Sequence, residues 1–143
     1  MEQAGATLAG AGLTRTGWTA SWLAEALDVT RRYWARIRCE LSGQETERLL
    51  SDWDSFRRRY LIAAEHIELL LTPTTMATPP LHREIVGDDF VFTLPASLTG
   101  SPAVTIPAGR DPSGLPVGVQ LVGRPWEDNL VLAAARLLAA GDA

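Results

Sequence analysis

The sequence predicts an α/β fold in which a helical hairpin is followed by a few strands and a C-terminal helix. Residues 18–67 repeat apolar side chains at steps of three and four, the spacing that gathers them on one face of a helix. Residues 68–143 instead hold short apolar runs between glycines and prolines, then an apolar segment headed by acids. Residues 1–17 are rich in glycine, alanine and threonine and are predicted to be a flexible leader.

Composition limits the classes of protein to consider. A chain of 143 residues fits one domain, and a net charge of −4 argues against a nucleic-acid partner. No apolar run approaches the ~20 residues that span a bilayer, so no membrane partner is expected. The single cysteine, Cys39, excludes an internal disulfide and fits a reducing compartment. We expect a cytoplasmic protein that needs no cofactor.

The first helix is predicted from Trp18. Asp28 or Thr30 is able to cap a new start, so two short helices are an alternative to one. Its apolar stripe is expected to consist of Leu23, Leu27, Thr30, Trp34, Ile37 and Leu41.

The second helix opens with a capping box, in which Ser42 caps the helix and Glu45 reaches back to the backbone of Ser42. Asp54 and Arg58 are spaced for an ion pair on its exposed side. Two helices packed as a hairpin explain both stripes more simply than a coiled coil. The apolar stripe of the second helix is expected to be Leu49, Trp53, Phe56, Tyr60, Ala63 and Ile67.

Three strands are predicted after the hairpin. The run Leu69–Leu71 suits a strand buried on both faces and is followed by a long irregular connection, residues 73–89. Ala103–Pro107 and Val117–Val122 are the other two strands. The Gly, Pro and Asp residues of 109–114 are typical of a hairpin connection between them.

The last helix is predicted to follow Pro125, with Glu127 and Asp128 opposing the positive end of its dipole. Its buried face is expected to be Leu130, Ala134, Leu137 and Leu138.

Two Gly-x-Pro steps, Gly100-Ser101-Pro102 and Gly114-Leu115-Pro116, each precede a strand-type run. With the pieces around them, they resemble the C-terminal end of the amidase signature family, serine hydrolases that cleave carboxamides. The resemblance covers about two-thirds of the chain, and it favours a short helix over a strand for Phe90–Leu98. The supporting pieces are Leu41-Ser42-Gly43, then Glu68 to Thr74, and finally Glu127 with Leu130.

Two positions depart from the pattern of the family, which usually has Asp at position 68 and Asn at position 97, where this chain has Glu68 and Ser97. Amidotransferase subunits of the family tend to place an acid just before the Phe-Thr pair. Here Asp88 and Asp89 stand slightly earlier, which favours a general amidase.

The resemblance implies a partial piece of an α/β/α sandwich built around a large mixed sheet. It also implies a catalytic set of two serines and a lysine, which belongs to the N-terminal half of a full-length member. This chain has no Gly/Ser-rich run, and all 13 of its basic residues are arginine, so no catalytic residue is assigned. Four serines are interpreted as capping, turn and strand-edge residues: Ser42, Ser97, Ser101 and Ser113.

The predicted function is therefore that of the C-terminal portion of a hydrolase that is inactive alone. Its complete form would hydrolyse carboxamide C–N bonds through a serine acyl-enzyme and bind a small-molecule amide substrate. The partner of this chain would be the missing N-terminal half or a second copy, since strands removed from a larger sheet leave uncovered edges. Such a chain is expected to associate, to aggregate or to melt without a sharp transition.

Three residues are candidates for a substrate pocket: Gly100 and Ser101 in the first Gly-x-Pro step, and Gln120 on the last strand. The alternative is that the glycine steps only set turns and sheet edges. A second hypothesis for the whole chain is a non-catalytic binding or assembly module that docks through its helical hairpin. A third, a hydrolase using His66 or His82, lacks a supporting motif.

No metal site is predicted, because His66, His82 and Cys39 match no ligand spacing. His66 is expected inside the second helix, as a surface or partly packed residue. Arg57, Arg58 and Arg59 point in different directions around that helix and are expected to form a solvated face.

Overall fold

The computed structural model describes residues 20–78 and 87–140. Its three antiparallel strands are ordered β1-β3-β2, with three helices on one face of the sheet and one on the other. This confirms the predicted α/β architecture. The elements are α1 (Ala20–Ile37), α2 (Gly43–Ala63), β1 (Leu69–Pro73), a 3₁₀ turn (Gly87–Phe90), α3 (Leu94–Thr99), β2 (Ala103–Arg110), β3 (Pro116–Gly123) and α4 (Asp128–Ala140).

Helix α1 is continuous, because Asp28 pairs with Arg32 one turn later instead of capping a second helix. It buries Ala26 and Val29, flanked by partly buried Trp22 and Tyr33. The predicted stripe was wrong at its C-terminal end, where Trp34 and Ile37 are about half exposed. Aromatic contacts set the rotation of α1, because Trp22 packs edge-on against Phe56 and Tyr60 of α2.

A short turn reverses the chain between α1 and α2. The Glu40 N–H donates to Ala35 O and the Cys39 N–H to Arg36 O, which is the Schellman arrangement, with Cys39 at φ 60°. The predicted capping box then starts α2: the Glu45 N–H donates to Ser42 Oγ and the Ser42 N–H to Glu45 Oε2. The two helices therefore run antiparallel as the expected hairpin.

The core of the hairpin combines aromatic and aliphatic side chains and extends to α3. Ion pairs cross from α1 to α2, joining Arg32 to Asp52 at 2.7 Å and Glu25 to Arg59. The predicted pair of Asp54 with Arg58 does not occur among the ion pairs of the described residues. The fully or nearly buried members of the core are Ala26, Val29, Leu49, Phe56, Tyr60 and Leu98.

The C-terminal end of α2 differs from the prediction. The helix ends at Ala63, so Ile67 lies beyond it, and Ala63 is exposed. No glycine marks this end, and Ala64 closes the helix in a right-handed conformation. The interior positions Leu49, Phe56 and Tyr60 are buried as expected.

The sheet confirms the three predicted strands. In β1, Leu70 pairs with Val122 of β3, and on the other side Val104 of β2 pairs with Leu121. The expectation that β1 is buried on both faces was wrong, since it lies at an edge with half-buried side chains. The β2–β3 connection is the predicted hairpin, closed by Asp111 Oδ1, which accepts the N–H groups of Ser113 and Leu115 at 2.8 Å.

The favoured short helix before β2 is confirmed by the 3₁₀ turn and α3. The predicted leader, residues 1–17, lies outside the described residues, as does residue 82 within the long connection.

Helix α4 packs against β2 and β3 through a face shifted by one residue from the prediction. Leu130 and Leu137 are exposed, Leu137 by 76%, so their predicted burial was wrong. Val131 lies directly over Gly123, where a side chain would collide with it, and this contact sets the rotation of the helix. The face that packs on the sheet is Val131, Ala134, Ala135 and Leu138.

Candidate functional site

The first Gly-x-Pro step forms the exit from α3. Gly100 adopts the left-handed conformation, φ 70°, in which a side chain would be strained, and so ends a helix of only six residues. The N–H groups of Gly100 and Ser101 both donate to Ala96 O. The buried hydroxyl of Thr99 donates to Pro95 O and lies 2.8 Å from Ser101 Oγ. The hydroxyl of Ser101 is thereby held at a fixed place beside the sheet.

Ser101 lines a pocket of about 230 Å³ between the end of α2 and the end of the sheet. The pocket is mainly apolar. Its other lining residues include Tyr60, Ile67, Leu70, Val122, Arg124 and Pro125.

Arg124 spans the rim of this pocket. Its Nη1 donates to Glu65 O at 3.2 Å, and its Nε and Nη2 donate to the two carboxylate oxygens of Glu127 at 3.0 and 2.6 Å. This hydrogen bonding lowers the pKa of Glu127 and raises the pKa of Arg124. Together these contacts fix the guanidinium between the turn after α2 and the start of α4.

Gln120 occupies a different place on the same face of the sheet. Its side chain is 4% exposed, and Nε2 lies 3.3 Å from Phe92 O and 3.5 Å from Thr72 Oγ1. The amide thus joins β3 to the turn before α3. The structure brings Ser101 to the pocket, places Gly100 at an exposed corner behind it, and directs the Gln120 amide towards Phe92. A substrate role for the three residues stays a prediction.

The hydroxyl of Ser101 has no base beside it among the described residues, whereas that of Ser42 donates to the carboxylate of its capping-box partner Glu45 at 2.6 Å. A serine hydroxyl needs a positioned base, and the partner of Ser101 Oγ among the described residues is the neutral Thr99 hydroxyl. Ser42 caps α2 and Ser113 lies in the hairpin turn, as interpreted from the sequence. Ser97 instead lies within α3, where its hydroxyl donates to Thr93 O.

The other candidate groups are dispersed. His66 lies in the turn after α2, so its predicted place inside the helix was wrong; its side chain is 89% exposed and 3.1 Å from Glu65. Cys39 is exposed after α1. Within residues 20–78 and 87–140, no three His, Cys, Asp or Glu residues are grouped to hold a metal ion, and no helix is long and apolar enough to cross a membrane.

The arginine run on α2 is exposed, as predicted, at Arg57, Arg58 and Arg59. Arg59 in addition pairs with Glu25 of α1 and lies over the ring of Trp22, 5.6 Å from its centroid. Sequence reasoning also missed the Arg124–Glu127 contact, although its i,i+3 spacing across a helix start was a usable signal. Nothing in the local sequence marked Thr99, since its partners are set by the turn.

Comparison with known proteins identifies the family. The Amidase family model matches residues 17–132. A glutamyl-tRNA(Gln) amidotransferase subunit of Prochlorococcus marinus (strain AS9601) is 38% identical over 87 residues, which are 57% of this chain and 18% of that protein. Fatty acid amide hydrolase of Arabidopsis thaliana is 36% identical over 80 residues, which are 48% of this chain and 13% of that protein.

Comparison with solved structures shows that the fold is shared with other proteins. The solved structure of Kluyveromyces lactis allophanate hydrolase superposes with a TM-score of 0.79 over 96% of this chain and 28% of that one, at 17% identity. This likeness concerns the fold alone. The chain spans less than a fifth of the length of the two curated relatives above. Because the family model matches most of its residues, this chain belongs to the amidase signature family.

Proposed function

We propose that this chain is the C-terminal portion of an amidase signature hydrolase whose complete form hydrolyses carboxamide C–N bonds through a serine acyl-enzyme. The observation that carries the proposal is the family match across residues 17–132 combined with the small part of each relative that this stretch represents. Amide chemistry is common to the names of the relatives, which include both an amide hydrolase and one component of an amidotransferase. The compartment we propose is the cytoplasm.

The contribution of this chain would be one wall of a substrate pocket. The pocket at Ser101, about 230 Å³, is smaller than the roughly 300–1,000 Å³ of most small-molecule sites. It therefore suits an apolar portion of an amide substrate rather than a whole ligand. Gly100 has no side chain and would let a substrate come close to the backbone at this corner. Gln120 would hold the turn before α3 against the sheet.

Alone, the chain is expected to be inactive. It contains no lysine, and the Ser101 hydroxyl faces Thr99 rather than a base. The preorganised donors that stabilise an oxyanion would come from the rest of the enzyme. The purified 143-residue chain should therefore show no turnover on a panel of simple amides, and reproducible hydrolysis abolished by Ser101→Ala would contradict the proposal.

A chimaera tests the positive half of the proposal. Residues 17–132 of this chain replace the matched segment in an active amide hydrolase of the family, and amide hydrolysis is measured. We expect activity to persist, because the catalytic set comes from the host. In the chimaera, Ser101→Ala should change KM without abolishing kcat, whereas Ser113→Ala, in the exposed hairpin turn, is the matched control and should change neither.

The alternative is a non-catalytic binding or assembly module. The observation that favours it is the extensive aromatic core between α1 and α2, which is completed within this chain by Leu98. A chimaera that folds, as judged by circular dichroism, but has lost all amide hydrolysis would favour the module over the amidase proposal.

A further inference from the structure

The outer edge of β2 is free among the described residues, and the hydrogen bonds of β3 show which groups it presents. In an antiparallel sheet, successive residues direct their backbone groups alternately to one side and the other. Gly118 O accepts from the Thr74 N–H beyond β1, at 3.3 Å, while the Gly123 N–H donates to Pro102 O just before β2, at 2.9 Å. Even-numbered residues of β3 thus face β1, and odd-numbered residues face β2.

The pairing register carries this alternation into β2. Val104 and Ile106 pair with Leu121 and Val119 and direct their backbone groups towards β3. The residues between and beside them, Ala103, Thr105 and Pro107, direct theirs outward.

The outer edge of β2 is exposed, and Pro107 protects part of it from pairing. Ala103, Thr105 and Pro107 are exposed, and no described residue hydrogen-bonds their outward groups. The run from 103 to 109 carries no charged side chain of the kind that protects edge strands. Pro107 has no N–H, so within the regular stretch 103–107 the outward donors are those of Ala103 and Thr105. The corresponding edge of β1 is less accessible, since all five of its residues are half-buried.

We propose that β2 pairs antiparallel with β2 of a second copy of this chain, about a two-fold axis at Val104. Ala103 of each copy then lies opposite Thr105 of the other, and each such pair exchanges two N–H···O bonds. All four outward donors of residues 103–107 in the two copies are used. Pro107 falls opposite Ser101, whose N–H already donates to Ala96 O, so the ladder ends where neither copy has a donor left.

Both faces of the sheet accommodate a second copy. On the face of the three helices, Ala103, Thr105 and Pro107 are uncovered, so no helix obstructs the approach. On the other face, the axis sets two copies of α4 side by side over the joined strands. Leu132 and Leu137 are exposed on opposite flanks of α4, so an apolar side chain meets the neighbouring helix on whichever flank faces the axis. Self-complementarity of this kind is what a two-fold interface requires.

The inference is independent of the proposed hydrolase and is tested on the 143-residue chain by sedimentation velocity over a concentration series. We expect a monomer–dimer equilibrium. Thr105→Pro removes an outward N–H from each copy, two of the four bonds, while leaving the bonds to β3 in place. It should weaken the dimer about tenfold or more. Thr105→Ala keeps the backbone donor and should dimerise like the parent chain.

Amide hydrogen exchange provides a readout that needs no substitution. The amides of Ala103 and Thr105 should be protected at concentrations where the dimer forms and exchange freely on dilution. The amides of Val104 and Ile106, bonded within the sheet, should be protected at both. A chain that stays monomeric throughout, equal dimerisation of Thr105→Pro and Thr105→Ala, or a dimer in which Ala103 and Thr105 exchange freely would each overturn the proposal.

Discussion

The close contact between Gly123 and Val131 makes Gly123→Ala an informative substitution. A Cβ built at Gly123 would lie 2.4 Å from Val131 Cγ2, where ordinary contacts begin at 3.4 Å. Relief therefore requires a movement of about 1 Å in a well-packed layer. Val131 cannot simply rotate away, because a β-branched residue in a helix has one strongly preferred rotamer. Overpacking of this kind costs about 1–3 kcal/mol, and we expect the free energy of unfolding to fall by that amount.

The assay is urea denaturation followed by circular dichroism at one fixed protein concentration. Gly43→Ala is the matched control, because its added Cβ meets no atom within 4 Å. It should unfold at nearly the parent midpoint.

A double-mutant cycle separates steric conflict from other causes. Val131→Ala alone should cost about 2 kcal/mol, since each buried methyl contributes roughly 0.8 kcal/mol before any cavity is counted. In the double variant the new Cβ occupies the space vacated by Cγ2, so its stability should equal that of Val131→Ala, a coupling of about 1 kcal/mol or more. Strictly additive losses, or a parent-like midpoint for Gly123→Ala, would refute the reasoning.

Three further predictions concern the helical layer. Cys39→Gly should stabilise the protein by about 1 kcal/mol in urea denaturation, because glycine occupies φ 60° without strain, whereas Cys39→Ser should bring no gain. Ser42→Ala should cost about 1 kcal/mol through loss of the helix cap, and a midpoint equal to that of the parent chain would contradict the capping role. Burial raises the pKa of Tyr60 from 10.0 to about 12. Its contribution to the free energy of unfolding is therefore complete below pH 10 and falls by about 2–3 kcal/mol as the pH rises towards 12. Tyr60→Phe should remove most of that decline in a pH series of denaturation curves, and parallel curves for the two proteins would contradict it.

Features set by neighbouring residues were predictable from the sequence. The capping box of Ser42 and Glu45 needs only local backbone geometry, and the Asp111 turn needs only a short polar side chain between two strands. The rotation of α1 and α4 was not predictable in this way. Both helices carry apolar residues on several faces, and contacts with residues distant in sequence determine which face is buried. Phe56 packs against Trp22 of α1, and Gly123 lies under Val131 of α4.

The candidate site shows the same division. The Gly-x-Pro step placed Ser101 at a turn, but the walls of its pocket come from the end of α2 and from β3, which are far away in sequence. The end of α2 itself carries no glycine or proline stop, which is why His66 was expected inside the helix.

The two hydrophobic clusters, on opposite faces of the sheet, should differ in when they form during folding. The aromatic cluster joins α1 to α2 across one short turn, so its contacts close small loops. The aliphatic cluster under α4 requires β1 to meet β3, which brings Leu69 to Gly123. Loop-closure entropy makes the second step the slower one. We expect the hairpin to be structured in the folding transition state, so that truncating Phe56 slows folding, whereas truncating Ile106 mainly accelerates unfolding.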